Sequence, residues 1–147
     1  MAINTPKVIA GGLAAGVVLN VLDFLVNNVV LASQMEAAMD ALNPSLADNM
    51  QGGSVIATFI VLDLLFGVLL VWTYAAMRSR FGPGPKTAAI AAAQVWLVGG
   101  VIYAFMVAMG MFTWGFFLLG SVGALVNLMV STQVGAMLYK EEAAAGA

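Results

Sequence analysis

Along this chain the apolar positions do not alternate with polar ones and do not mark one narrow helical stripe; they run together. Four apolar stretches occupy residues 7–31, 55–77, 87–109 and 114–139. Each is about as long as the roughly 20 residues a helix needs to cross a bilayer. The pattern predicts an all-α integral membrane protein, an antiparallel bundle of four transmembrane helices forming a single membrane domain over residues 1–147. A cleaved signal peptide is the competing reading of the first stretch, because Lys7 precedes an apolar run and Val30-Leu31-Ala32 resembles a cleavage site. The stretch is too long and, with Asn20, Asp23 and Asn27, too polar for a signal sequence.

The connections set the expected orientation. Residues 33–54 form an outer loop with three acidic residues, Glu36, Asp40 and Asp48, and no lysine or arginine. Residues 78–86 form a short loop carrying Arg78, Arg80 and Lys86. With four crossings, Lys7, this loop and Lys140 fall on one face, and the positive-inside rule makes both termini cytoplasmic. The expected location is a bacterial inner membrane. Within the outer loop, Met35, Met39, Leu42, Leu46 and Met50 recur at helical spacing, which predicts a short amphipathic helix broken at Asn43-Pro44 and lying over the bundle. A methionine-only copper(I) site is chemically allowed there, but no histidine or cysteine strengthens it.

Composition narrows the chemistry further. The chain is 63% hydrophobic and 8% charged, its mean hydropathy is +1.02 and its net charge is −2. A soluble domain is about 25% charged. Five basic residues are too few for a nucleic-acid face. The sequence contains neither histidine nor cysteine, so it lacks the usual ligands of haem, chlorophyll, zinc and iron–sulfur clusters, the commonest general base and the thiol nucleophile. No metal site and no enzymatic activity are expected. Lipid, quinone or carotenoid in apolar grooves is compatible with this composition.

The polar residues inside the spans form stripes. At about 100° per residue, Gly12, Gly16, Asn20, Asp23, Asn27 and Gln34 share a sector of about 80°. On the last helix Gly120, Gly123, Ala124, Asn127, Ser131 and Gly135 share a face of about 120°. Small residues permit close helix approach and amides hydrogen-bond across it, so Gly12, Gly16, Gly120, Gly123 and Gly135 are expected at helix contacts and the last helix is the expected partner of the first. On the second helix Ile56, Asp63, Gly67, Leu70 and Tyr74 share a face. On the third, Ala92, Trp96, Gly99, Tyr103 and Gly110 share one and Gln94 lies opposite.

Asp23 and Asp63 each sit about 12 Å below the outer surface at 1.5 Å per residue, close enough in depth to touch. An aspartate at a helix centre costs about 2.5–3.5 kcal/mol on insertion scales, less at this depth, and no lysine or arginine lies within the spans. Two readings follow. Sharing a proton, the pair forms a proton or cation relay. Alternatively, as a hydrogen-bonding group a protonated aspartate clamps the first helix to the second beside Asn20, Asn27 and Asn127. A transporter usually carries Gly or Pro breaks at the midplane, whereas all four prolines here lie in tails and loops. The basic turn with its Gly-Pro-Gly-Pro run suits an anionic phospholipid headgroup contacted by Arg78, Arg80 and Lys86, or serves simply as a topology determinant. Its Lys-Thr pair lacks the spacing of a phosphate-binding loop.

The chain resembles a set of small, uncharacterised four-helix bacterial inner-membrane proteins. The likeness is carried by Gly11-Gly12 and Ala15-Gly16 leading to Asn20-x-x-Asp23-Phe24-x-x-Asn27, by the turn from Arg80 to Lys86, and by Gly135-Ala136-Met137-Leu138-Tyr139-Lys140. It implies the four-helix layout and brings no activity. The leading expectation is a non-catalytic accessory or scaffold subunit packing against other subunits of a larger membrane complex, of respiratory or photosynthetic type. The rival is a small proton-coupled carrier or channel, a homo-oligomer, using Asp23 and Asp63.

Overall fold

The computed structural model describes residues 3–43 and 45–140. Helices run in the order α1 (Thr5–Leu25), a π-helical segment (Val26–Val30), α2 (Ala32–Leu42), α3 (Leu46–Met50), α4 (Gly53–Phe81), α5 (Pro85–Ala108) and α6 (Trp114–Leu138), and no strand occurs among the described residues. Four spans, Thr5–Val30, Gly53–Phe81, Pro85–Ala108 and Trp114–Leu138, are long and apolar enough to cross a membrane. Their outward faces are aliphatic and aromatic, with Val17, Val21, Leu65, Leu69, Leu97, Val101, Phe105 and Val122 all exposed. In water such a surface would aggregate; facing lipid it carries no cost.

The helix ends follow local rules. Asn4 caps α1 by accepting from the Lys7 amide at 3.2 Å, and Pro6 lies in its first turn. Thr113 caps α6 by accepting from the Phe116 amide at 3.2 Å. The second span continues through Phe81, four residues past the end of its apolar run, so Arg78 and Arg80 belong to the last turn of α4 and not to a loop. Cations are favourable at a helix C-terminus, which lets the helix outlast its hydrophobicity. The connection to α5 is therefore only Gly82-Pro83-Gly84. Gly82 (φ +80°) and Gly84 (φ +128°) adopt conformations open in practice only to glycine, and Pro85 starts α5.

Each long helix packs against at least two neighbours: α1 against α4 and α6, and α5 against α6 and α4, while α4 and α6 also meet across the middle. The α1–α4 seam is built from glycine. A Cβ on Gly12 would strike the Val68 backbone, one on Gly16 would lie 2.6 Å from Leu64 Cα, and one on Gly67 would strike the backbone of Gly12 and Gly16. Gly12 and Gly16 thus face α4, not the last helix. The contact of α1 with α6 uses Gly11, whose added Cβ would lie 2.7 Å from the Gly135 carbonyl oxygen. Gly123 accommodates Val26 of the π segment, whose Cγ1 would be 2.8 Å from a Cβ there.

The core is concentrated at the end bearing Lys7, Arg78 and Lys86. Val8, Ala15, Val71, Tyr74, Ala75, Ala88, Ala91 and Tyr139 form one buried cluster, continued by Leu19, Leu70, Ala92 and Leu128. Polar bonds tie that end together. The Tyr139 hydroxyl accepts from the Asn4 amide at 3.2 Å, the Tyr74 hydroxyl accepts from the Gly84 amide at 3.2 Å, and Gln133 Nε2 donates to the Pro85 carbonyl at 2.9 Å. Toward the other end the four helices leave a space between them.

Candidate functional site

That space is a half-open cavity of about 440 Å³. Its acidic wall comes from α1 and α4. Asp23 and Asn27 project from α1 and the π segment, and Asp63 projects from α4 one helical turn before Gly67. Asn127 of α6 is buried and donates through Nδ2 to Asp23 Oδ1, joining residues 104 positions apart in sequence. Asp63 and Asp23 line the same cavity without a hydrogen bond to each other. Of the five polar residues expected to cluster within the spans, four, Asp23, Asn27, Asp63 and Asn127, line one cavity. Asn20 does not: its Nδ2 donates to the Gly16 carbonyl at 3.0 Å and the Ile60 carbonyl at 3.3 Å, tying α1 to α4.

The facing wall comes from α5, which makes no extensive contact with α1. It contributes Trp96, Gly99, Gly100 and Tyr103. Trp96 Nε1 donates to the Ser121 carbonyl at 2.8 Å, so its polar atom is satisfied while its side chain lines the cavity. Tyr103 is held edge-on by Phe112 and Phe117, at ring-centre separations of 5.1 and 5.5 Å. Gly120 and Ala124 complete the wall from α6. Gly120 is not a helix-contact glycine, because a Cβ at this position meets nothing within 4 Å. The same holds for Gly99 and Gly100. Facial position alone does not separate a glycine that lets a neighbour in from one that leaves a hole.

At the end remote from Lys7, Arg78 and Lys86 the cavity is flanked by α2, whose Met35 and Met39 line it. This helix packs closely only with the π segment and α3. The π segment is closed by the Leu31 amide donating to the Val26 carbonyl at 2.8 Å, five residues back, a geometry often found at functional sites. Gln34 faces a separate crevice between α2 and the α5–α6 turn, so the stripe of α1 does not continue into α2. Pro44, on which the break in the outer-loop helix rests, lies outside the described residues, as do the acidic pair Glu141 and Glu142 of the tail.

The basic residues lie apart from the cavity. Arg80 and Lys86 are exposed. Arg78 instead turns inward, its guanidinium 5.3 Å from the centre of the Tyr139 ring, a cation–π contact. Sequence reasoning did not identify Gly11 and Gly67 as seam residues, nor Phe66, Phe116, Phe117 and Ser121 as cavity-lining ones. Gly67 was legible, since it stands four residues from Asp63 on one helix face. No family model matches the chain, and neither curated proteins nor solved structures show a significant match to it.

Proposed function

We propose that the protein is a small antiparallel four-helix carrier of a bacterial inner membrane, with both termini cytoplasmic, in which Asp23 and Asp63 bind a proton or a cation in exchange for one another. The observation that carries the reading is a cavity within the spans that holds both carboxylates and has no lysine or arginine in its lining. An ionised carboxylate away from water needs a counter-charge. With none supplied by the protein, it has to come from outside as a proton or a cation. The two compete for the same oxygens, so binding of one accompanies release of the other. Asn127 holds Asp23 in place, and α2, weakly packed over the cavity, is suited to open it outward.

The placement of the glycines supports this reading over the accessory-subunit one. Gly11, Gly12, Gly16, Gly67, Gly123 and Gly135 are used in contacts within the chain, and Gly99, Gly100 and Gly120 create the cavity. The accessory-subunit reading retains support from the broad apolar face of α5 around Leu97, Val101 and Phe105, which suits a neighbouring subunit as well as lipid. Exposed Arg80 and Lys86 beside the start of α5 suit the phosphate of an anionic phospholipid and hold this end in the cytoplasm. The test is proton and cation flux in proteoliposomes for the wild-type chain and Asp23→Asn and Asp63→Asn variants of unchanged size-exclusion profile. Flux lost in the variants supports the carrier. Flux equal to wild type removes it, and large subunits co-purifying in mild detergent would favour the accessory role instead.

A further inference from the structure

The two walls of the cavity differ in chemistry, and the difference specifies an occupant. We infer that the cavity takes a small organic cation, an ammonium-type centre carried on an apolar or aromatic body, in preference to an inorganic ion; the inference deepens the carrier reading and rests on it. On the α1 and α4 side stand Asp23 and Asp63, and on the α5 side stand Trp96 and Tyr103. A metal ion such as calcium is enclosed by six or more oxygen ligands, but among the described residues no three acidic side chains gather anywhere. The two carboxylates stand on α1 and α4, and the α5 side contributes rings and glycines.

Size points the same way. A dehydrated ion fills about the space of one water, ~30 Å³, which would leave most of the roughly 440 Å³ empty. That volume falls instead in the range of about 300–1,000 Å³ typical of small-molecule sites. An onium centre placed between the carboxylates and the Trp96 ring gains from both, since a cation is attracted to the indole face. Its apolar remainder then fills the space that Gly99, Gly100 and Gly120 leave open. A neutral apolar molecule would leave the carboxylates without a counter-charge, and an anion would be repelled by them.

The experiment uses the purified full chain in detergent and benzyltrimethylammonium as probe, measured by isothermal titration calorimetry against its uncharged isostere neopentylbenzene and against sodium chloride. The expected result is saturable binding of the onium probe, at least about tenfold tighter than either control. Asp63→Asn should weaken it by about tenfold or more, the size of one charge-assisted interaction. Gly100→Leu, at a half-buried lining position where a Cβ meets no atom within 4 Å, should retain the fold by circular dichroism and abolish binding by filling the cavity. Sodium binding that the onium probe does not displace, with carboxylate-dependent flux intact in liposomes, would overturn the organic-cation assignment and leave the carrier standing. Absence of binding by any cation, together with flux indifferent to both carboxylates, would overturn both.

Discussion

Replacing Gly67 with alanine adds one methyl group at the tightest point of the α1–α4 seam. The new Cβ would strike the Gly12 carbonyl oxygen and the Gly16 amide nitrogen and lie 2.6 Å from Gly16 Cα. These are backbone atoms, so no side chain can swing aside. Restoring ordinary contacts of 3.4 Å to all three atoms requires the helices to part by about 1.1 Å, a gap that forfeits about half of the dispersion energy along the seam. Overpacking typically costs about 1–3 kcal/mol, and a backbone clash belongs at the upper end. Alanine recovers about 1 kcal/mol in helix propensity. The net expectation is a destabilisation of about 2 kcal/mol, a roughly 30-fold change in the folded-to-unfolded ratio.

Gly120→Ala makes the identical chemical change on α6 with no atom within 4 Å of the new methyl. Only the propensity gain of about 1 kcal/mol remains, so the two substitutions should move stability in opposite directions, about 3 kcal/mol apart. Equilibrium unfolding of the full chain from mild micelles into sodium dodecyl sulfate, followed by circular dichroism, measures both on one scale. If Gly67→Ala proves as stable as wild type, or if Gly120→Ala is destabilised as much as Gly67→Ala, the distinction between seam and cavity glycines is wrong.

Asn20→Leu removes the donor to the Ile60 carbonyl and should cost about 0.6 kcal/mol, at most ~1.7 kcal/mol, the range for hydrogen bonds between membrane helices; the same unfolding assay checks it. Trp96→Phe deletes the bond to Ser121 and should cost a similar amount, with weaker onium-probe affinity as well, whereas Trp72→Phe, on an exposed position of α4, should leave that affinity unchanged. Gly84→Ala forces a side chain to φ +128° and should lower stability by about 1–3 kcal/mol, seen as an earlier unfolding midpoint. Fusion of a periplasm-inactive fluorescent reporter after Lys140 should fluoresce, and joint neutralisation of Arg78, Arg80 and Lys86 should reduce that signal by mixing orientations.

Asp23 shows where sequence reading reaches its limit. Its depth, its polar stripe and its want of a cation were all readable from composition and helical period. Its partner was not: Asn127 is 104 residues away, and no periodicity joins residues on different helices. The equal depth of Asp23 and Asp63 suggested direct contact, yet depth constrains only one of three coordinates. The angular coordinate depends on how the glycine seams let the helices approach, and that is a property of both surfaces together. Asn20 illustrates the same point, sharing the stripe of Asp23 but bonding α4 instead of entering the cavity.

The sequence by itself determined that this is an all-helical chain with four spans suited to a membrane, and where those spans begin and end to within a few residues. That follows because solvent choice and backbone satisfaction act on each segment separately: an apolar stretch of sufficient length has to close its own hydrogen bonds wherever it sits in lipid. Tertiary structure alone decided which glycines are contacts and which are absences. Gly67 and Gly120 are chemically identical and each lies within an apolar span, but one meets backbone and the other meets nothing. Close packing at one end of the helices, and space at the other, arise from pairs of surfaces meeting, so the cavity and the two walls that define its chemistry exist only once all four helices are together.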